Sequence, residues 1–199
     1  MRAMLTFDHV YVRYSLWKLW HGLDLSGVSA DRLGFDASLR GHANTGGPRL
    51  AGILRRLRLS EMWSAVDIGS GKGGACFTLA RFFHSVRGIE LSPILMEVAK
   101  ANQRKLGARV RNITFVQEDA RFADYDKFQL FYMANPFGSE VARAVLAKIE
   151  ESLERLGREA VLVVYHPCKI DEWIQPKRFK LSAVHEFRNQ HPIYIFKTQ

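Results

Sequence analysis

Ala65-Val66-Asp67-Ile68-Gly69-Ser70-Gly71-Lys72-Gly73-Gly74 is the stretch on which the reading of this chain turns. Its first residues form a short apolar run of strand character, and its glycines open a turn ahead of a segment with helical period. Glycine at a strand-to-helix junction permits unusual backbone angles and lets a ligand approach the main chain. Gly69, Gly71 and Gly74 also satisfy G-x-G-x-x-G, which by itself is weak evidence for any one ligand. A P-loop is excluded twice: Gly73 follows Lys72 where Ser or Thr is needed, and Val66 stands where the earlier glycine belongs. A nicotinamide pyrophosphate at the helix N-terminus would be repelled by Asp67, two residues before the first glycine.

Outward from this turn, short β-branched runs alternate with helical segments, the pattern of a parallel sheet covered by crossover helices. Strands are expected over residues 65–68, 86–90, 113–117, 129–133 and 160–165, and helices over 74–83, 93–106 and 140–156. Ser92 before Pro93 is a good helix start, because serine caps and proline is tolerated in the first turn. Residues 179–188 and 193–197 are two strand-like runs joined by Asn189, Gln190, His191 and Pro192, with no helix between them. That predicts an antiparallel hairpin. The expected fold is therefore α/β and three-layered, with a mostly parallel seven-stranded sheet ending in the hairpin.

Three acids stand at the carboxyl ends of three successive strands. Asp67 suits a ligand that brings an ammonium group and a sulfonium to the turn, as S-adenosylmethionine does. Glu90 offers both carboxylate oxygens to two ribose hydroxyls, a job also found in NAD proteins. Asp119, at the end of Phe115-Val116-Gln117-Glu118-Asp119-Ala120, is placed to accept from an adenine amino group. Residues 66–73, 88–91, 118–120 and 134–138 together resemble the successive motifs of class I S-adenosylmethionine-dependent methyltransferases with a Rossmann-like fold. The resemblance runs from about residue 49 to the C-terminus. It implies Asp67, Gly69 and Ser70 near the methionine part, Gly71 and Gly73 in the turn, Glu90 and Leu91 at the ribose, and Asp119 with Ala120 at adenine. Lys72 is expected to be solvated.

The acceptor side is less legible. Ligands in open α/β sheets lie beyond the carboxyl ends of the strands, which brings Asn135-Pro136-Phe137-Gly138 to the transferable methyl. These residues resemble the Asn-Pro-Pro-aromatic motif of enzymes that methylate conjugated amino groups, with one proline missing. The whole chain is more similar to small bacterial class I methyltransferases carrying Asn-Pro-Phe-Gly. It is more distantly similar to lysine methyltransferases whose pre-core loop sets a threonine by the cofactor, a position that falls on Thr45. Asn135, Pro136 and Phe137 are thus the candidate acceptor residues, with Asn135 also beside the cofactor. His166 is a candidate base and Tyr165 a candidate pocket wall. Methyl transfer is an in-line displacement, so positioning and water exclusion are the main work and a strong base is optional. A small-molecule or protein acceptor, with nitrogen favoured, leads. An RNA or DNA base, or a cofactor-binding accessory protein without turnover, are the alternatives.

Chain totals are those of an ordinary globular protein: 199 residues, 47% apolar and 25% charged, with a net charge of +9. The basic excess falls on the flanks, +5 over residues 1–60 and +3 over 160–199 against +1 between them. Such flanks favour an acidic acceptor, an RNA or a membrane surface. Cys76 and Cys168 are too few for a disulfide framework and lack the spacing of a zinc site, so no metal is expected and a cytoplasmic setting is the simpler reading. Arg13 and Lys18 interrupt the aromatic run 10–20, and a spanning helix needs about 20 mostly apolar residues. Phe7, Val10, Tyr11, Tyr14 and Trp17 fall at helical spacing and are expected to pack on the core. Residues 1–48 are read as a helical extension, a lid or substrate element, and 49–199 as the Rossmann-like domain.

Overall fold

The computed structural model describes residues 2–34, 39–165, 177–187 and 190–199. After a helix α1 (Arg2–Trp20) and a second, α2 (Pro48–Leu57), the chain alternates β1 (Ser64–Ile68), α3 (Gly74–Leu79), β2 (Ser85–Glu90), α4 (Pro93–Leu106), β3 (Ile113–Gln117), β4 (Leu130–Met133), α5 (Ser139–Leu156) and β5 (Val161–Tyr165). It ends in β6 (Phe179–Phe187) and β7 (Gln190–Thr198). The strand order is β3-β2-β1-β4-β5-β7-β6, with β7 antiparallel to both neighbours and the rest parallel. This is the seven-stranded α/β architecture expected from the pattern.

Chain direction along the sheet reverses at β1, which has β2 on one side and β4 on the other. The crossover helices α3, which leads from β1 to β2, and α5, which leads from β4 to β5, therefore cover opposite faces, which opens a crevice between the carboxyl ends of β1 and β4. Val66 and Ile68 face α5, where Val141, Val145, Ile149 and Leu153 recur every fourth residue and complete one buried cluster. Ala65 faces the other cluster, with Leu50, Ile53 and Leu54 of α2 and Phe77 and Leu79 of α3. Alternation puts Asp67 on that second side.

Local chemistry sets the ends of the helices. The Ser92 hydroxyl accepts from the Leu95 amide at 3.3 Å and Pro93 begins α4, as its sequence suggests. Gly157 closes α5 in the left-handed region, its amide donating to the Leu153 carbonyl at 2.9 Å. The helix α3 is shorter than expected: the backbone from Arg81 onward tightens into i to i+3 bonds, Arg81 to Thr78 and Phe82 to Leu79.

The hairpin differs more. Gln190, His191 and Pro192, expected in the connection, belong to β7. Between the pairs His185–Ile193 and Phe187–Gln190 the strand β7 uses one residue more than β6, a bulge that tolerates a proline lacking an amide donor.

The aromatic stripe of α1 is only partly packed. Trp17 joins the α2 side of the core and stacks on Tyr14 at 5.8 Å between centroids, whereas Val10 is 49% exposed, contrary to expectation. Phe7 lies outside the described side chains. No helix among the described residues is long and apolar enough to cross a membrane.

Candidate active site: a cleft between the sheet edge and an N-terminal strap

A cleft of about 240 Å³ opens at the carboxyl ends of β1 to β4. Thr45, Asp67, Gly69, Ser70, Gly71, Glu90, Leu91, Asp119, Ala120, Pro136 and Phe137 all line it. Asn135 lies between the lining residues Ala134 and Pro136 and takes φ +49°, a left-handed conformation that asparagine tolerates better than most residues. Gly73 does not line the cleft: it precedes α3 and faces the rings of Phe115 and Phe77, so its role is close packing under the turn. His166 is outside the described residues.

The turn is built to be approached closely. Gly69 has φ +79° and presses its α-carbon against the Pro136 ring, and Gly71 has φ +54° and sits against the His42 imidazole. A side chain at either position would be strained in backbone and would collide with these neighbours.

The two acids at the head of the cleft are buried. Asp67 is 2% exposed, and the Cys76 thiol donates to its carboxylate at 3.2 Å. Burial raises its pKa to about 7, the thiol opposing the rise and Glu90 adding to it. Burial and the Asp67 charge push the Cys76 thiol up in turn. The Glu90 carboxylate accepts the Gly71 amide on one oxygen and the Ser92 amide on the other, both at 2.8 Å. Burial raises its pKa, and those amides hold the rise back. Among the described residues no lysine or arginine forms an ion pair with Asp67 or Glu90. Buried carboxylates without a counter-charge call for a cationic ligand.

Asp119 stands in a different environment. Arg121 grips it through side chain and backbone, with the closest contact at 2.6 Å, and holds its carboxyl below the usual range.

The cover of the cleft is a strap from the N-terminal segment. His42 exchanges backbone hydrogen bonds with Val28 at 2.9 and 2.7 Å, the Arg40 amide donates to the Pro136 carbonyl at 3.2 Å, and Leu39 bridges Phe137. The strap thus touches both the glycine turn and the loop after β4. Lys72 is 4% exposed, not solvated as expected: its ammonium donates to both Asp24 oxygens, at 2.8 and 2.9 Å, and to the Ser26 hydroxyl. Burial opposes ionisation of Asp24, but the hydrogen bonds from Lys72 and Ser26 outweigh it and bring its carboxyl down to about 2. The Asn102 amide, fully buried, donates to the carbonyls of Asp24 and Lys72 and accepts the Asp24 amide. Burial and the nearby Lys72 charge lower the pKa of His42 to about 4, so its ring is neutral against the turn at neutral pH.

Asp24, His42, Cys76, Asn102 and Arg121 were not singled out from the sequence. Arg121 lies two residues after Asp119 and Cys76 nine after Asp67, whereas Asp24, His42 and Asn102 meet their partners across long sequence separations. Among the described residues no three His, Cys, Asp or Glu side chains are placed to hold a metal ion.

Residues 65–157 match the family model described as a methyltransferase domain. That match spans a little under half of the chain, and the sheet order around it is that of the class I S-adenosylmethionine-dependent methyltransferase fold. No curated protein is detectably similar in sequence. Several solved structures share the fold. An RNA methyltransferase from Salinibacter ruber in complex with S-adenosyl-L-homocysteine is 19% identical, with 77% of this chain and 92% of that one covered and a TM-score of 0.62. Magnesium protoporphyrin IX methyltransferase from Synechocystis with bound SAM is 16% identical, with 76% of each chain covered and a TM-score of 0.60. The ribosomal protein L11 methylase from Lactobacillus delbrueckii subsp. bulgaricus is 14% identical, with 76% and 77% covered and a TM-score of 0.61.

Proposed function

We propose that the chain transfers the methyl group of S-adenosylmethionine to a nitrogen atom of a small-molecule or protein acceptor presented at Asn135-Pro136-Phe137. The observation that supports this reading is that loop itself: Pro136 and Phe137 line the open side of the cleft, Asn135 is held at φ +49° beside them, and the strap is tied to both Pro136 and Phe137. When bound, S-adenosylmethionine supplies a methyl carbon already activated by its sulfonium.

The chain's residues divide the work among them. Asp67 and Glu90 hold the cationic amino-acid end and the ribose, with Glu90 aimed by the Gly71 and Ser92 amides. Asp119 and Ala120 border adenine, with Asp119 shared with Arg121. Asn135 accepts the N–H of the acceptor and the Phe137 ring flanks it, so that the nitrogen lone pair meets the methyl carbon opposite the breaking C–S bond. The strap, with Thr45, excludes water. His166, directly after β5 in sequence, is the candidate base for a protonated acceptor.

Base methylation in RNA is a second reading, favoured by Arg40 and Arg121 on the cleft wall and by the +9 charge. Incubating the full chain with methyl-labelled cofactor and separated small-molecule, protein and RNA fractions of a cell extract tests both. Label in the small-molecule or protein fraction, lost in Asn135→Ala, is expected. Label in RNA alone, with binding that weakens steeply with salt, would favour the second reading. Absence of label in every fraction would contradict catalysis.

A further inference from the structure

One feature of the molecule takes no part in the cleft. Along the outer side of α1, Val12, Leu16, Leu19 and Trp20 follow one another at spacings of four, three and one, which is a single helical stripe. They are 55%, 59%, 76% and 88% exposed. The opposite side, with Tyr14 and Trp17, is the one that packs on the body. A helix that is apolar on both sides while one side faces solvent is incomplete as a surface helix, because its outer stripe has nothing to bury against.

The charges around the stripe say what would cover it. Arg13 is exposed next to the stripe, while Lys18 lies over the Tyr14 ring on the packed side. At the C-terminal end of α1, Lys105 donates to the Gly22 carbonyl at 2.6 Å and Arg109 contacts His21 at 3.2 Å, which gathers two further exposed cations beside Leu19 and Trp20. A second copy of the chain seated on this stripe would bring these cations against their own equivalents. An anionic lipid surface meets them with opposite charge, and the convex stripe needs no groove to enter the boundary between headgroups and acyl chains.

We propose that α1 is a peripheral membrane-binding helix, laying Val12, Leu16, Leu19 and Trp20 into an anionic bilayer while Arg13, Lys105 and Arg109 meet the headgroups. The contact is interfacial and reversible.

Co-sedimentation of the full chain with lipid vesicles tests this. Vesicles of phosphatidylcholine mixed with phosphatidylglycerol should bind the protein at least about tenfold better than phosphatidylcholine alone, and added salt should reduce the difference. Leu19→Ser with Trp20→Ser should lower binding to the anionic vesicles about tenfold or more. The same variant should keep its melting temperature and its affinity for S-adenosylhomocysteine, since neither residue touches the cleft. Equal binding to both vesicle types, no binding to either, or binding unchanged in the double variant would overturn the proposal. So would a concentration-dependent dimer that the double variant abolishes, because a second copy would then be the occupant.

Discussion

The floor and the cover of the cleft are built on different principles. On the floor, Asp67, Gly69, Gly71 and Glu90 belong to the ends of two adjacent parallel strands and one turn, and the amides of Gly71 and Ser92 fix the Glu90 carboxylate. The cover, residues 39–45 together with the segment from Asp24 to Val28 that His42 pairs with, belongs to no regular element. It stays in place through ties that reach far along the chain: Lys72 to Asp24, Asn102 to Asp24 and Arg40 to Pro136. The floor is preorganised by the fold, whereas the cover depends on a few polar contacts, so the two should respond differently to mutation.

The largest effect is expected on the floor. Glu90→Ala removes the group aimed by two amides and should weaken S-adenosylhomocysteine binding roughly 100-fold in calorimetry, a charged hydrogen bond being worth about 1.5–3 kcal/mol. A loss of less than about threefold would place the ribose elsewhere.

Acidity probes the same region. The pKa of Asp67, about 7 in the folded chain, lies above its unfolded value of 3.8. Its contribution to stability is therefore full below the unfolded value and lost as pH rises through about 7. Thermal unfolding of the ligand-free protein should show Asp67→Asn gaining stability over the parent at pH 8 and little at pH 4. Cofactor affinity should run the other way in the parent, falling as pH drops below about 7 because a protonated Asp67 no longer attracts a cation. A variant whose melting temperature follows the parent at every pH would show that Asp67 is ionised at no cost.

The cover comes next. Asp24→Ala leaves the buried Lys72 ammonium without its carboxylate and should cost about 1–3 kcal/mol in chemical denaturation, reduced from a fully buried pair because Asp24 is half exposed. Lys72→Met removes the buried charge itself and should cost less. Equal losses would mean that the tie acts only through packing. The smallest effect belongs to Asp119→Asn, since this carboxylate is partly exposed and already engaged by Arg121. A change of cofactor affinity within about fivefold is expected, and a loss as large as that of Glu90→Ala would make adenine recognition as demanding as the grip on the ribose.

How far the sequence carried follows the same division. The sheet, the start of α4 at Ser92 and Pro93, and the close of α5 at Gly157 are written in local patterns of apolar period, capping and turn residues. The residues gathered on the floor are readable because acids at the carboxyl ends of three successive parallel strands meet at one edge of the sheet. Lys72 was misread because its partner Asp24 lies 48 positions away, and a lysine in a glycine turn gives no local sign of burial. The strap was equally silent, since its hold on Pro136 and Phe137 is made by main-chain atoms that carry no residue code. Pro192 misled in the opposite sense, as it marks a bulge inside β7 where proline ordinarily ends a strand.

Titration calorimetry of the parent chain and of the double variant Asp67→Asn, Glu90→Gln with S-adenosylmethionine and S-adenosylhomocysteine bears most directly on the role given to the two buried acids. The parent should bind both. The double variant should remain folded and lose at least about 100-fold in affinity for each, whereas a folded double variant that binds both as tightly as the parent would contradict it.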